Sequence, residues 1–475
     1  MTRPVVIQGG MGVAVSSFRL AREVSRRGQL GVVSGTALDT VLVRRLQLGD
    51  PGGETRRALA AFPDRTLADR VQEAYYVEGG VAAHQPLRTL PMYTAAASPA
   101  RHALAVLAGF VEVWLAREGH DGVVGINFLE KIQLPTPATL YGALLAGVDY
   151  VLVGAGIPRD IPGLLERLCR HQPAALPLHV SGAAPGERFE LAFDPRAAVS
   201  VGAVHLKRPT FLAIVASSTL AQSLARRSPG VDGFIVEGPK AGGHNAPPRG
   251  PLVLGEEGEP RYGPRDVVDL AKMRALGLPF WLAGSYASPD RLQEARREGA
   301  SGIQVGSAFA FCEESGIETP LRRRVLEQVR RGEARVFTDP CASPTGFPFK
   351  VVALEGSLSD AEVYASRERR CDLGYLREIY RRPDGTLGYR CPAEPVEDFV
   401  RKGGDLRETA GRKCICNGLL GTVGLGQRRG VSLEPPIVTA GDDLQDFGRR
   451  LGGDGSTYSA ADVLRYLLGE APEKI

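Results

Sequence analysis

Short apolar runs alternate with longer amphipathic stretches along the first two thirds of this chain. The runs are nearly continuous, which is typical of parallel strands that are covered on both faces. Eight of them occur, at residues 4–8, 30–35, 122–128, 148–154, 211–217, 231–238, 278–285 and 301–307. Most are followed by a stretch with helix start and stop signals, such as "SPDRLQEARREG" at 288–299. The pattern therefore predicts eight βα units.

Eight βα units predict an α/β fold of the (β/α)₈ TIM-barrel type. A doubly wound open sheet is the alternative, because periodicity does not distinguish the two. Two stretches interrupt the repeat: residues 50–120 predict a helical insertion, and residues 174–208 predict an inserted hairpin. The repeat then ends near residue 335. We therefore predict a barrel over residues 1–335 and a smaller, separate module over residues 336–475.

Composition and charge narrow the class of protein. The chain is 43% hydrophobic and 24% charged, as is usual for a soluble globular protein. Its formal net charge of +4 is small for 475 residues, which disfavours binding to nucleic acid or to a membrane surface. No continuous apolar run reaches the roughly 18 residues that a membrane helix needs, and the N-terminus lacks a signal-peptide pattern. We therefore expect a cytoplasmic protein. The sequence does not determine the oligomeric state, and a homo-oligomer is compatible with it.

Glycine and polar residues follow the last three predicted strands. In a barrel, residues after the strands line the catalytic face. Gly242 and Gly243 in "AGGH" would let a ligand approach the backbone, and His244 is suited to proton transfer near neutral pH. Two Gly–Ser pairs, Gly284–Ser285 and Gly306–Ser307, follow the seventh and eighth strands, where barrels often bind phosphate.

These motifs resemble those of a known family. "IQGGMG", "GINF", "AGGH", "LAGS" and "IQVGSAF" recur in this order in the nitronate monooxygenases, formerly called 2-nitropropane dioxygenases. The same superfamily includes the flavin-dependent enoyl-acyl-carrier-protein reductases. The resemblance covers residues 4–315. It implies an oxidoreductase, a flavoprotein whose TIM barrel binds FMN at the carboxyl ends of its strands.

The resemblance also implies a role for individual residues. Gly10, Met11 and Gly12 would pass beneath the isoalloxazine ring of FMN. The phosphate of FMN would be held by Gly284, Ser285, Gly306 and Ser307. The implied contacts are Gly10, Met11, Gly12, Asn127, Gly242, Gly243, Gly284, Ser285, Gly306 and Ser307. His244 would act on the substrate as a base or as an orienting group. Lys240 stands where the family usually has glutamate, and a cation there favours an anionic substrate.

Three functions are compatible with these features. The leading one is a nitronate monooxygenase activity, in which a small anionic nitronate and O₂ yield a carbonyl compound and nitrite. The alternative enzyme is a flavin reductase that uses NAD(P)H and reduces an enoyl thioester or a quinone. The alternative without catalysis is a flavin-binding scaffold whose tail binds nucleic acid, and the nearly balanced charge argues against it.

Two further groups of residues stand out. Lys131 and Gln133 follow the third strand and would lie on the catalytic face of the barrel. In the tail, four of the seven cysteines are grouped: Cys371, Cys391, Cys414 and Cys416. In a reducing compartment such a group indicates metal binding or free thiols more than disulfides. Because the spacing is irregular for a Cys₄ zinc site, free thiols, structural zinc and an iron–sulfur centre all stay open.

Overall fold

Eight parallel strands form the centre of the protein. The computed structural model describes residues 3–202, 205–430, 432–451 and 457–470. In chain order the central strands are β1 (Val6–Gln8), β2 (Gly31–Ser34), β3 (Val124–Leu129), β4 (Tyr150–Gly154), β5 (Thr210–Val215), β6 (Gly233–Glu237), β7 (Phe280–Ala283) and β8 (Gly302–Val305). Each lies within one residue of a predicted run, so the prediction of eight strands is confirmed.

The sheet closes on itself. Neighbouring strands are hydrogen-bonded in the order β1-β8-β7-β6-β5-β4-β3-β2. A parallel bridge between Ile7 and Leu30 then joins β1 to the start of β2. This closure confirms the (β/α)₈ barrel, and the open-sheet alternative is wrong.

Side chains of each strand alternate between two cores. Ile235 on β6 packs inside the barrel with Ile7, Leu212 and Trp281. Its neighbours Phe234 and Val236 point outward, into the large core between the strands and the surrounding helices. Both faces of the sheet are therefore apolar, which is why the strands appear as continuous hydrophobic runs.

Helices surround the barrel and continue through the C-terminal part. They are α1 (Phe18–Arg26), α2 (Leu38–Gln47), α3 (Glu54–Ala61), α4 (Arg65–Tyr75), α5 (Pro99–Arg117), α6 (Thr136–Leu145), α7 (Ile161–Cys169), α8 (Pro195–Ala198), α9 (Ser218–Arg227), α10 (Leu270–Arg274), α11 (Pro289–Arg297), α12 (Ser307–Ala310), α13 (Thr319–Arg331), α14 (Ala361–Ser366), α15 (Val396–Arg401), α16 (Ile415–Thr422), α17 (Leu444–Leu451) and α18 (Ala460–Leu468). Two short 3₁₀ helices span Pro264–Asp266 and Leu406–Thr409.

Helices α3, α4 and α5 occupy the predicted helical insertion. Among the described residues, α5 is the one helix long and apolar enough to cross a membrane, and most of it is buried inside the protein. It packs closely on α6, where a Cβ on Gly142 would lie 1.9 Å from the Val106 carbonyl oxygen. The apolar character of α5 is therefore explained by packing in the core.

The predicted hairpin region pairs with itself and with the C-terminal part. Strands Ala174–Pro177 and Glu190–Phe193 are antiparallel. The short strand Val180–Ser181 pairs in parallel with Glu378–Arg381, which in turn pairs with Leu387–Arg390. One small sheet therefore connects the insertion before β5 to the C-terminal residues.

The C-terminal part lies against the carboxyl ends of the barrel strands. Strand Val336–Asp339 pairs with Phe349–Val352, and Arg428–Arg429 pairs with Ser432–Leu433. Apolar side chains of this part, such as Tyr375, Ile415 and Ile437, share a core with Val13 and Val41 of the barrel. The C-terminal residues thereby form a cover over the barrel mouth.

Candidate active site

A cavity of about 210 Å³ lies between the carboxyl ends of the strands and this cover. All ten residues implied as FMN contacts line it, together with His244 and Lys240. Asn127 lies in strand β3, and the other residues follow β1, β6, β7 and β8, so the barrel brings them all to one end of the molecule. Tertiary folding thus assembles the complete predicted set in one place.

The loop after β1 is packed tightly against Asn127. A Cβ on Gly10 would lie 2.2 Å from the Asn127 Cβ atom, so the packing requires glycine at this position. Asn127 Nδ2 donates a hydrogen bond to the Gly10 carbonyl oxygen at 3.4 Å. Met11 N donates to Ser16 Oγ at 2.8 Å. These contacts fix the floor of the cavity.

The two glycines after β6 meet a C-terminal segment. A Cβ on Gly242 would lie 2.8 Å from the carbonyl carbon of Ala440. Gly243 has a φ of +78°, which favours glycine, and its amide donates to Thr439 Oγ1 at 2.8 Å. The close neighbour that explains glycine at position 242 is therefore another part of the chain.

Unpartnered polar atoms identify a place for a bound group. Ser285 follows β7 with a φ of +62°, and its Oγ is buried without a hydrogen-bond partner among the described residues. On β8, Gln304 Oε1 is buried in the same way, and both residues line the cavity. Because buried polar atoms are normally hydrogen-bonded, these two atoms fit a polar ligand. Ser307 differs, since its Oγ accepts a hydrogen bond from the Gly441 amide at 2.6 Å.

His244 is held by residues of the C-terminal cover. Its Nε2 lies 2.7 Å from Ser343 Oγ, and its ring packs edge-to-face on Phe349 with the centroids 4.8 Å apart. Burial lowers the pKa of His244 to about 4. The imidazole is therefore neutral at pH 7 and offers one hydrogen-bond donor and one acceptor.

Two carboxyl groups in the cavity wall were missed by the sequence analysis. Burial raises the pKa of Glu237, the last residue of β6, to about 7, and raises the pKa of Asp443 to about 6. An acid at the end of an apolar strand, as in "VDGFIVEG", is a signal that could have identified Glu237. No comparable local signal precedes Asp443.

Lys240 lines the cavity, whereas Lys350 follows the lining residue Phe349 and does not itself line the cavity. Lys240 is exposed at the edge of the cavity, and its carbonyl oxygen accepts from the Asp442 amide at 3.1 Å. Lys350 is buried, and its Nζ lies 2.6 Å from both Thr338 Oγ1 and Asp442 Oδ1. Lys240 is thus the lysine that is accessible to an incoming anion.

The four grouped cysteines lie around a separate, very small cavity of about 10 Å³. Burial raises the pKa of each thiol, to about 11 for Cys371, so all four are protonated at neutral pH. Within the described ranges, no three His, Cys, Asp or Glu side chains form a group that could hold a metal ion. The arrangement of Cys371, Cys391, Cys414 and Cys416 therefore adds no support to the zinc and iron–sulfur hypotheses.

Comparisons with known proteins agree with the motifs. The family model of nitronate monooxygenase matches residues 190–336. A Pseudomonas aeruginosa "Nitronate monooxygenase" is 30% identical over 191 residues, which are 39% of this chain and 47% of that protein. A Bacillus subtilis "Probable nitronate monooxygenase" is 32% identical over 111 residues, or 23% of this chain and 30% of that protein. The chain thus covers less than half the length of these relatives.

Among solved structures, FabK from Thermotoga maritima aligns with 98% of this chain and 92% of its own, at 14% identity and a TM-score of 0.49. A nitroalkane oxidase from Streptomyces ansochromogenes aligns with 98% of this chain and 95% of its own, at 15% identity and a TM-score of 0.44. The family model spans residues 190–336 and so includes the motifs after β6, β7 and β8. Over residues 190–336 this chain is therefore similar to the nitronate monooxygenase family.

Proposed function

We propose that the protein is an FMN-dependent oxidoreductase that oxidises an anionic nitronate with O₂. The observation that carries the proposal is the pair of unpartnered buried atoms, Ser285 Oγ and Gln304 Oε1, in the wall of the cavity lined by the family motifs. When bound, FMN supplies an electron acceptor for the nitronate and passes electrons to O₂. The loops at Gly284–Ser285 and Gly306–Ser307 would hold its phosphate.

The protein's own groups would select an anion. Lys240 at the rim attracts a negatively charged substrate into the cavity. His244 is neutral because of its lowered pKa, so it donates a hydrogen bond to an oxygen of the nitronate as an uncharged group. A histidine with a pKa of about 4 is a weak base at neutral pH, so His244 is better suited to orienting a nitronate than to deprotonating a nitroalkane.

Glu237 is better matched to proton transfer. Its pKa of about 7 leaves the carboxyl group divided between its protonated and ionised forms at neutral pH. If a neutral nitroalkane enters, the ionised carboxylate of Glu237 would accept its α-proton. We therefore assign orientation of the anion to His244 and handling of the proton to Glu237.

Cofactor release followed by anaerobic reduction tests the proposal. Heating the purified protein should release FMN and not FAD, as identified by chromatography. Under anaerobic conditions, propyl-2-nitronate should bleach the flavin absorbance rapidly, and NADH or NADPH should not. Rapid bleaching by NAD(P)H alone would contradict the proposal and favour the reductase. Absence of turnover with any donor, together with co-purifying RNA, would favour the scaffold.

A further inference from the structure

A second cavity, of about 620 Å³, lies beside the candidate active site. It is enclosed by the loop after β3, the insertion before β5 and the C-terminal cover. Tyr375 and Leu376 line both cavities, which therefore meet at these two residues. A molecule in the second cavity therefore lies next to the group that occupies the first.

Two arginines that line the second cavity have no carboxylate partner among the described residues. Arg377 Nε donates to the Gly374 carbonyl oxygen at 3.1 Å, and its Nη2 donates to the Tyr93 carbonyl oxygen at 2.6 Å. Arg412 Nε donates to the Glu408 carbonyl oxygen at 2.9 Å, and its Nη1 donates to the Cys341 carbonyl oxygen at 2.8 Å. Carbonyl oxygens satisfy N–H groups but do not neutralise the positive charges.

A lysine adds a third positive charge. Lys131 is exposed, and its ammonium lies 5.6 Å from the centre of the Phe347 ring. The acidic side chains of this wall are Glu378, which pairs with Arg390 at 2.8 Å, and Glu408. His179 is bonded to Glu130 at 2.7 Å. The cations thus exceed the unpaired acids, and the cavity is electropositive.

Apolar side chains continue the same wall. Leu134, Ile379 and Phe399 line the cavity together with the charged groups. A lining that combines apolar surface with unneutralised cations complements a linear carbon chain that carries a negative charge. A small nitronate such as that of nitroethane would leave this space unused.

We propose that the second cavity binds the anionic end of an extended substrate whose reacting end lies in the first cavity. The anionic end is a carboxylate or a phosphate monoester, and the carbon chain lies along Tyr375 and Leu376, where the two cavities meet. The part of this inference that concerns the reacting end rests on the proposed function. The anion site itself does not depend on it.

Binding without turnover is the first test. Isothermal titration calorimetry of the FMN-loaded protein with hexyl phosphate and with heptanoate measures the anion site directly. Both anions should bind, and the tighter one identifies the class of anionic group. Lys131→Glu should weaken binding about tenfold or more, because the charge reversal replaces attraction by repulsion. A tenfold change in Kd corresponds to about 1.4 kcal/mol of binding free energy. Lys207→Glu is the matched control and should leave binding unchanged. Lys207 is an exposed lysine that precedes β5, at the other end of the barrel.

Turnover is the second test. The nitronates of 6-nitrohexanoate and 1-nitrohexane have the same chain length and differ in the terminal carboxylate. The kcat/KM value should be about tenfold or more higher for the nitronate of 6-nitrohexanoate than for the nitronate of 1-nitrohexane. Lys131→Glu should abolish this preference. Equal kcat/KM values, together with unchanged anion binding by Lys131→Glu, would overturn the inference and leave the proposed function intact. Lys131-dependent binding of hexyl phosphate without turnover of either nitronate would support the anion site and overturn the proposed function.

Discussion

At the scale of single residues, burial assigns different protonation states to two groups in the cavity wall. It lowers the pKa of His244 to about 4 and raises the pKa of Glu237 to about 7. Both shifts have the same cause, since removal from water disfavours the charged form of either group. At neutral pH the histidine is therefore uncharged, and the glutamate carries a proton for part of the time.

The first prediction concerns His244. His244→Asn should retain FMN but lower kcat/KM for a nitronate by about 10- to 100-fold, the value of one hydrogen bond to a charged group. Because its pKa is about 4, the wild-type pH profile for a nitronate should show no inflection from this histidine between pH 5 and 8. Steady-state kinetics and flavin absorbance measure both effects. Full activity of His244→Asn, equal to that of the exposed control His84→Asn, would contradict a role at the substrate.

The second prediction concerns Glu237 and stability. In the folded protein this carboxyl keeps its proton up to about pH 7, whereas its ordinary pKa is 4.5. The folded state therefore binds more protons in this window, and the contribution of Glu237 to stability falls as the pH rises through it. Glu237→Gln removes this loss, so the Tm of the variant minus that of the wild type should be more positive at pH 8 than at pH 4.5.

Differential scanning fluorimetry at the two pH values measures the difference. Glu256→Gln, on an exposed loop, is the control and should show the same small change at both. An identical Tm difference for Glu237→Gln at pH 4.5 and pH 8 would show that the carboxyl of Glu237 titrates normally.

At the scale of elements, the segment from Thr439 to Asp443 fixes the loops after β6 and β8. The Gly441 amide donates to Ser307 Oγ, the Asp442 amide donates to the Lys240 carbonyl oxygen, and the Asp442 carboxylate pairs with buried Lys350. These contacts join the two loops that the family motifs assign to the flavin. The C-terminal segment thereby determines the shape of the site.

The third prediction tests this coupling at Gly242. A Cβ here would meet the Ala440 carbonyl carbon at 2.8 Å and the Gly441 nitrogen at 2.9 Å, so Gly242→Ala must displace the segment. We expect a loss of about 1–3 kcal/mol in stability, as for overpacking in general, and at least a tenfold increase in the Kd for FMN. Fluorescence titration with FMN and urea denaturation measure these quantities.

The control for this variant is Gly163→Ala. Gly163 lies in α7, where a Cβ would meet no atom within 4 Å. The substitution should leave FMN affinity unchanged and stabilise the helix by about 0.5–1 kcal/mol. If Gly242→Ala behaves like Gly163→Ala, the segment does not constrain the loop.

At the scale of the whole molecule, a buried polar network joins the helical insertion, the barrel and the cover. Asp39 on α2 forms an ion pair with Arg101 on α5 at 2.6 Å and accepts a hydrogen bond from the Tyr375 hydroxyl. The same hydroxyl lies 2.7 Å from Thr40 Oγ1. Tyr375 also lines both cavities, so this network holds Tyr375 in place where the two cavities meet.

The fourth prediction is that Tyr375→Phe destabilises the protein by about 1–3 kcal/mol, because Asp39 and Thr40 lose a buried hydrogen-bond partner. Guanidinium denaturation followed by circular dichroism measures the change. Tyr380→Phe, on the strand Glu378–Arg381, is a matched control whose aromatic ring packs on Arg390, and it should cost less than about 0.5 kcal/mol. Equal effects of the two variants would show that the hydroxyl of Tyr375 contributes nothing to stability.

The sequence by itself determined the barrel strands and the loops that carry the motifs. Strand positions could be predicted because residues such as Phe234, Ile235 and Val236 are apolar on both faces of a buried sheet. The motifs lie at or after the carboxyl ends of parallel strands, so all of them lie at one end of the barrel. Local sequence sufficed here because these features depend on neighbours in the chain and on a single rule of topology.

Only the tertiary structure decided how the site is closed and charged. The bridge between Ile7 and Leu30 selected the closed barrel, and the packing of Ala440 on Gly242 placed the C-terminal cover. Contacts with Ser343 and Phe349 of that cover enclose His244, and burial made His244 neutral and made Glu237 titrate near neutral pH. The second cavity likewise combines Lys131 with Arg377 and Arg412, which are far apart in the chain. Proximity, burial and electric field are properties of long-range packing, and no local pattern in the sequence encodes them.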